Sequence, residues 1–98
     1  RTGFQSALNW YRNIDRNWAM TPFLSGVAIL QPTLFVAGEK DAVITIMRGA
    51  YDRLEDNIPN LYRKVLIPGA GHWVQQESPA QVNALMVEFL QKRGQELF

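Results

Sequence analysis

The chain has 98 residues, the length of one small domain or of a piece of a larger one, and its 47% hydrophobic and 19% charged residues predict a packed core. Ten Lys and Arg residues against nine Asp and Glu residues give a net charge of +1, which argues against a nucleic-acid partner. The lack of cysteine excludes disulfides, zinc–thiolate sites and a thiol nucleophile.

The hydropathy pattern predicts neither a membrane span nor a secretory signal. No apolar run approaches the roughly 18–20 residues of a transmembrane helix, and the first residues lack a basic stretch followed by an apolar one. The cytosol (cytoplasm) is therefore the default compartment. Because the chain begins at Arg1 rather than at Met, we expect it to be the C-terminal part of a longer protein.

The first predicted element is a helix over residues 4–18. Its apolar side chains recur at helical spacing with polar residues between them: Phe4, Leu8, Tyr11, Ile14 and Trp18. Residues 19–32 contain Pro22, Gly26 and Pro32, and they predict a connection with a short helical turn.

Two strands joined by a helix are predicted next. The continuous apolar run Thr33–Gly38 is typical of a strand buried on both faces of a parallel sheet. Apolar spacing then predicts a helix of about four turns from Val43 to near Pro59. The stretch Tyr62–Ile67 predicts the second strand, which ends at Pro68 and the glycines that follow.

The last predicted element is a helix that begins at Ser78-Pro79 and ends at Gly94. The order helix, strand, helix, strand, helix indicates an α/β fold with a right-handed parallel crossover. Two parallel strands do not form an independently stable sheet. The apolar faces of both strands therefore require partners from outside these 98 residues.

Two loops that follow the strands carry the residues best suited to catalysis, Asp41 and His72. Parallel neighbouring strands end at the same edge of a sheet, about 5 Å apart, so an Asp41–His72 hydrogen bond is feasible. The carboxylate would hold one imidazole nitrogen protonated and leave the other as a general base. Three alternatives stay open at this point: a structural His72, a helix-capping Asp41, and Glu39 as the histidine's partner.

The motifs in these loops resemble the C-terminal third of an α/β-hydrolase. Gly-x-x-Asp at 38–41 is followed by Gly-x-Gly-His-Trp at 69–73 and by Gln-Gln-Glu-Ser-Pro at 75–79. Upstream, Asn-Trp-Tyr-Arg-Asn at 9–13 is similar to the lid motif of the soluble-type epoxide hydrolases. The combination is more specific than the Gly-His loop alone, which recurs across this fold.

The resemblance extends from Gly3 to about Lys92 and implies a fold for the whole chain. Residues 1–30 would be the end of a helical lid and its connection back to the core. Residues 31–98 would be the C-terminal part of an α/β-hydrolase core, a strand-helix-strand-helix unit of a parallel sheet.

The resemblance also implies roles for individual residues. His72 matches the histidine that activates water, and Asp41 matches the acid that orients it. Tyr11 matches one of two lid tyrosines whose hydroxyls stabilise the alkoxide as an epoxide ring opens, and its structural alternative is a packed aromatic on an amphipathic helix. Trp10 and Trp73 are candidates to line an apolar substrate pocket. No metal or organic cofactor is implied.

The nucleophile of this family is missing from the 98 residues. Its members carry an aspartate on a sharp strand–helix turn and an oxyanion-hole segment that begins with His-Gly. The sequence shows neither, nor a second lid tyrosine in a recognisable motif. We therefore expect no turnover by residues 1–98 alone. The expected partners are a small hydrophobic epoxide, water and the N-terminal part of the same fold, and a homodimer is left open.

Three other functions stay open. A haloalkane or haloacid dehalogenase, or another α/β-hydrolase such as a serine esterase, would share the Asp–His pair, but a dehalogenase would use halide donors in place of the lid tyrosines. A truncated, non-catalytic interaction module would bind another chain through its unpartnered apolar faces. Tyr11 is the residue that separates epoxide opening from carbon–halogen cleavage.

Overall fold

The computed structural model describes residues 3–97 as an α/β arrangement of two strands and seven α-helices. The predicted lid segment begins at Arg1 and the predicted core segment ends at Phe98, and both of these residues lie outside the described residues. In chain order the elements are α1 (Gln5–Arg12), α2 (Ile14–Met20), a 3₁₀ turn (Pro22–Leu24), β1 (Thr33–Gly38), α3 (Ala42–Ile46), α4 (Arg48–Asp52), α5 (Leu54–Asn57), β2 (Leu61–Ile67), α6 (Val74–Glu77) and α7 (Pro79–Leu97).

The predicted helix over residues 4–18 is wrong in its continuity, because it is divided into α1 and α2 at Asn13. The Asn13 side-chain amide donates to the Asn9 carbonyl oxygen at 2.6 Å. A side chain that bonds the helix backbone in this way competes with the regular pattern and favours an interruption. Neither helix buries any residue. The short helical turn predicted in the connection is confirmed at Pro22–Leu24.

The two strands pair in parallel, as predicted, and their carboxyl ends lie side by side, with Gly38 opposite Ile67. The bounds of β1 are those of the apolar run, and β2 begins one residue earlier than predicted, at Leu61. A register shift lies between Thr33 and Leu34, at the far end of the pair. The loops after β1 and β2 therefore leave the same edge of the sheet.

The single four-turn helix predicted between the strands is wrong, because the segment forms the three short helices α3, α4 and α5. They are interrupted at Met47 and Arg53, whose backbones leave the helical range with ψ of 28° and 21°. Four β-branched residues in succession over 43–46, and Gly49 soon after, have low helix propensity. The chain nevertheless returns to the start of β2 on the same path.

The helix predicted to begin at Ser78-Pro79 is confirmed as α7, but its predicted end at Gly94 is wrong. The helix continues through Gly94 to Leu97. A glycine inside a helix costs about 1 kcal/mol relative to alanine, and this cost does not by itself end the helix. The one-turn helix α6, directly before α7, has no counterpart in the sequence prediction.

The core is small and lies between the sheet and helices α6 and α7. Its buried residues are Ile67, Ala70, Val74 and Val82, with Val36, Val65 and Leu85 packed against them. Glu88 of α7 accepts hydrogen bonds from the Tyr62 hydroxyl at 3.0 Å and from Arg63 at 2.9 Å, which joins this helix to β2. These contacts fix α7 across the sheet.

Much apolar surface is left uncovered within residues 3–97. Phe4, Trp10 and Trp18 of the first two helices are each more than 80% exposed. A depression between β1 and α7 is lined by Gln75 and by seven apolar residues, Leu34, Val36, Val74, Val82, Met86, Phe89 and Leu90. Surfaces of this kind are normally covered by further elements of the same fold or by a partner. None of the described helices combines the length and the apolar character that crossing a membrane requires.

Candidate active site

The loops at the carboxyl edge of the sheet are bound directly to each other. The Glu39 amide donates to the Ile67 carbonyl oxygen at 3.0 Å, and the Lys40 amide donates to the Ala70 carbonyl oxygen at 2.8 Å. These hydrogen bonds extend the parallel ladder beyond the last paired residues. They hold the loop that carries Asp41 against the loop that carries His72.

The two loops meet at Gly38, where no side chain fits. A Cβ atom at this position would overlap the carbonyl oxygens of Gly71 and Ala70. The absence of a side chain at Gly38 therefore allows the end of β1 to lie directly against the backbone that leads into His72.

Asp41 uses its two carboxylate oxygens for two different contacts. Oδ1 accepts the Val43 amide at 2.9 Å and caps the N-terminus of α3, while Oδ2 lies 2.9 Å from Nδ1 of His72. Helix capping and partnership with the histidine, considered as alternatives from the sequence, thus occur together. Asp41 itself is only 7% exposed, so its carboxylate is largely shielded from solvent on the protein side of both contacts.

The Asp41 carboxyl is held in its charged form by these contacts. Burial raises its pKa, but the hydrogen bonds from the Val43 amide and from His72, together with the charge of the imidazole, outweigh that effect. The pKa of Asp41 consequently lies below its ordinary value. Since a carboxylate only accepts hydrogen bonds, Nδ1 of His72 must be the protonated nitrogen in this contact.

His72 combines a fixed side with an open side. Its Nδ1 contacts Asp41, whereas the side chain as a whole is 60% exposed. The ring of Trp73 lies edge-on to the imidazole, with the ring centroids 5.3 Å apart. With Nδ1 protonated, the neutral imidazole carries its basic lone pair on Nε2, which is the arrangement that a general base needs.

We expect Asp41→Asn to reduce the loss of stability in acid. A lowered folded-state pKa means that the unfolded chain binds more protons, so the contribution of Asp41 is present above about pH 4 and is lost as the pH falls through the folded-state pKa. Asparagine keeps the helix cap but removes the charge. The measurement is the thermal unfolding temperature of the complete protein between pH 7 and pH 3. The complete protein is the product of the whole open reading frame that contains residues 1–98.

The wild-type complete protein should lose more thermal stability between pH 5 and pH 3 than the Asp41→Asn variant. The control is Asp52→Asn, which removes an exposed carboxylate paired with Arg48 on α4. Equal acid sensitivity of the Asp41→Asn variant and the wild type would contradict the assignment of a stabilising charge to Asp41.

Glu39 is not the partner of His72. Its side chain is exposed, and its contact to the neighbouring loop is made by the backbone amide, which donates to Ile67. The carboxylate that reaches the imidazole belongs to Asp41. The choice between the two acidic residues is thereby decided in favour of Asp41.

The residues of the predicted lid lie apart from this pair. Tyr11 is 72% exposed and Trp10 is 82% exposed, both on α1. They line a shallow depression together with Ala7 and Ile14. Within residues 3–97, no hydrogen bond or ring contact joins Tyr11 to His72. Trp73, the other predicted pocket residue, is 60% exposed and lies beside His72. The structure thus brings together Asp41, His72 and Trp73, but not the residues of α1.

Glu77 also lies at the candidate site, and its sequence pattern did not predict this contact with the loop. Its carboxylate accepts the Gly71 amide at 3.0 Å and the Trp73 amide at 3.2 Å, the two backbone groups that flank His72. The motif at 75–79 contained this glutamate, but hydrophobic spacing carries no information about polar contacts. An acidic residue a few positions after a glycine-rich loop was the available signal.

The fold and the pair define a class of protein. A parallel strand-helix-strand unit with an acid and a histidine on successive loops at the carboxyl edge of the sheet is the arrangement found in the α/β-hydrolases, in which the acid precedes the histidine along the chain. No protein-family model matches the chain.

Individual proteins are similar to the chain over nearly its whole length. Epoxide hydrolase A of Mycobacterium tuberculosis is 54% identical over 90 residues, which are 92% of this chain and 27% of that relative. The crystal structure of epoxide hydrolase A from Mycobacterium thermoresistibile gives a TM-score of 0.79 at 52% identity over 93% of this chain and 28% of that one. An epoxide hydrolase from an endophytic Streptomyces gives 0.84 at 42% identity with the same coverage.

The chain spans little more than a quarter of the length of these relatives. Over that span its sequence and its fold are similar to a segment of these epoxide hydrolases, whose fold is that of the α/β-hydrolases. The resemblance and the fold class inferred from the sequence are thereby confirmed.

Proposed function

We propose that residues 1–98 are the C-terminal segment of an epoxide hydrolase that converts a small hydrophobic epoxide to a vicinal diol. In this proposal residues 1–30 end the lid, and residues 31–98 complete the core. The observation that carries the proposal is the Asp41–His72 hydrogen bond of 2.9 Å at the carboxyl edge of the sheet. It occurs in a chain that is 54% identical to part of a protein named an epoxide hydrolase.

The first step of the proposed reaction forms an ester. An aspartate from outside residues 1–98 attacks an epoxide carbon, the carbon–oxygen bond of the ring breaks, and the oxygen becomes an alkoxide. Tyr11, with a second donor from the rest of the lid, donates a hydrogen bond to that oxygen as negative charge develops. Stabilising a developing charge with fixed donors is among the largest contributions to catalysis. The exposure of Tyr11 on α1 leaves its hydroxyl available to a substrate.

The second step hydrolyses the ester. Nε2 of His72 takes a proton from water, the resulting hydroxide attacks the ester carbonyl, and the bond from the carbonyl carbon to the diol oxygen breaks. The proton on the new carboxyl group and the proton held by His72 then pass to the two oxygens of the diol, which restores the aspartate carboxylate and the neutral imidazole. Asp41 keeps Nδ1 protonated and stabilises the imidazolium that forms, which its lowered pKa supports. Dividing a difficult hydrolysis into these two steps is ordinary nucleophilic catalysis, and it requires no metal or organic cofactor.

The aromatic residues near the reacting groups support a hydrophobic substrate. Trp73 is exposed beside His72, and Trp10 is exposed beside Tyr11. In this proposal the lid segment covers the sheet edge, and both indole rings contribute to one apolar pocket. We propose both tryptophans as pocket residues on this basis.

The proposal is tested by replacing Tyr11 with Phe in the complete protein. We expect the rate of diol formation from styrene oxide, a small hydrophobic epoxide, to fall about 10²-fold, since one donor to the alkoxide is lost. The matched control is Tyr51→Phe, which removes a hydroxyl from a half-buried ring that packs on Phe35 of β1. Diol is measured by chromatography, and halide release from 1-chlorobutane is measured in parallel.

Three outcomes would contradict the proposal. Halide release without diol formation, unaffected by Tyr11→Phe, would favour a dehalogenase. Equal losses of diol formation in Tyr11→Phe and Tyr51→Phe would remove Tyr11 from the reaction. A complete protein without either activity would favour the non-catalytic interaction module.

A further inference from the structure

The loop that carries His72 is held from both sides by one carboxylate. β2 ends at Ile67, and the chain then passes through the glycine-rich loop into the one-turn helix α6. The last residue of that helix is Glu77. Its Oε1 accepts the Gly71 amide at 3.0 Å, and its Oε2 accepts the Trp73 amide at 3.2 Å.

These two contacts lie immediately before and after His72. Hydrogen bonds from backbone amides to an ionised carboxylate are stronger than those between neutral groups. A carboxylate that bridges both neighbours of a residue restricts the backbone rotations that would move its side chain. Glu77 therefore limits the directions in which the His72 imidazole can point.

Gly71 allows the carboxylate to approach the loop this closely. A Cβ atom at Gly71 would lie 3.1 Å from Oε2 and 3.3 Å from Oε1 of Glu77, closer than most real Cβ contacts. The absence of a side chain at Gly71 therefore leaves room for the Glu77 carboxylate beside the backbone of the loop.

The side-chain contacts to this loop come from two acidic residues. Among the described residues, the side chains that accept hydrogen bonds from the segment 69–73 are those of Asp41 and Glu77. Asp41 contacts the imidazole itself, and Glu77 contacts only the backbone. The His72 side chain is 60% exposed, so it makes few packing contacts. Its orientation therefore depends on these hydrogen bonds.

We infer that Glu77 is a positioning residue, which holds the backbone on both sides of His72 and so aligns the imidazole with Asp41 and with the water that attacks the ester. The inference rests on the proposed function. Glu77 touches neither substrate nor reacting atoms, and its effect passes through His72. It should therefore act on ester hydrolysis, which uses the imidazole, and leave ester formation unaffected.

The test is single-turnover kinetics of the complete protein with styrene oxide. In Glu77→Gln an amide nitrogen faces one of the two backbone donors, so one hydrogen bond and the charge are lost. We expect the rate of ester hydrolysis to fall about 10- to 100-fold, the cost of misplacing a reacting group by a fraction of an ångström to an ångström. The rate of ester formation should stay within about twofold, and the covalent ester should accumulate.

Two further variants separate positioning from general stability. Glu77→Asp keeps both oxygens on a shorter side chain, and we expect it to restore part of the hydrolysis rate. It carries the same test should Glu77→Gln fail to fold. Glu55→Gln removes a carboxylate that pairs with Lys64 at 2.9 Å, away from the loop, and should leave the ratio of the two rates unchanged.

The outcomes distinguish the inference from the function on which it rests. Suppose that Glu77→Gln slows both steps equally, or slows neither, while His72→Gln still traps an ester. That result would overturn the positioning role of Glu77 alone. A His72→Gln protein that forms no ester with an epoxide would overturn the proposed function and the inference with it. Slower hydrolysis with unchanged formation, partly restored by Glu77→Asp, supports the inference.

Discussion

Replacing His72 with Gln is expected to leave the complete protein able to open an epoxide but unable to release the diol. Glutamine has a similar polar reach, but it cannot take a proton from water at neutral pH. Loss of a general base costs about 10²- to 10⁴-fold, so the covalent ester should become the dominant form of the protein. Mass spectrometry of the intact protein, taken within seconds of mixing with styrene oxide, measures the adduct directly.

The His72→Gln experiment has a matched control in Lys92→Gln, which removes another side chain that can carry positive charge from the exposed part of α7. That variant should turn over at the wild-type rate and show no adduct. Rapid multiple turnover by His72→Gln would exclude His72 as the base. A variant that neither turns over nor forms an adduct would contradict the proposed function, in which His72 acts only after the ester has formed.

The strands and the Asp–His pair were accessible from the sequence because they depend on strong local signals and on topology. The apolar run that ends at Gly38 predicted the bounds of β1 correctly, because the residues that bound the run also bound the strand. Parallel strands must end at one edge, so the proximity of Asp41 and His72 followed from the crossover alone. The double use of the Asp41 carboxylate did not follow, because one residue type suits both a cap and a histidine partner.

The helix limits were less accessible, because they depend on competing side-chain contacts. Apolar periodicity runs through Asn13, yet the side-chain bond from Asn13 to the Asn9 carbonyl oxygen accompanies an interruption there. In α7 the apolar periodicity stops before Gly94, yet the backbone at Gly94 stays helical. Glu77 was missed for a related reason, since the one-turn helix that returns its carboxylate to the loop is too short to produce a periodic signal.

Replacing Gly38 with Ala is expected to cause the largest loss of stability of any single methyl addition at the sheet edge. The new Cβ would overlap two backbone carbonyl oxygens, those of Ala70 and Gly71, which cannot rotate away as a flexible side chain would. Overpacking against backbone lies at the upper end of the usual range, so we expect the free energy of unfolding to fall by about 3 kcal/mol. The measurement is the urea midpoint of the complete protein.

The same substitution at Gly49 is the matched control. A Cβ atom there meets no atom within 4 Å, and the residue lies in helix α4, where alanine is favoured over glycine by up to about 1 kcal/mol. Gly49→Ala should therefore leave the urea midpoint unchanged or raise it. Because the overlap at Gly38 lies on the backbone that leads into His72, Gly38→Ala should also slow ester hydrolysis in molecules that remain folded. The Lys40 amide lies 2.8 Å from the Ala70 carbonyl oxygen, so the two loops meet closely at this point. A Gly38→Ala protein as stable and as active as the Gly49→Ala protein would contradict that close approach.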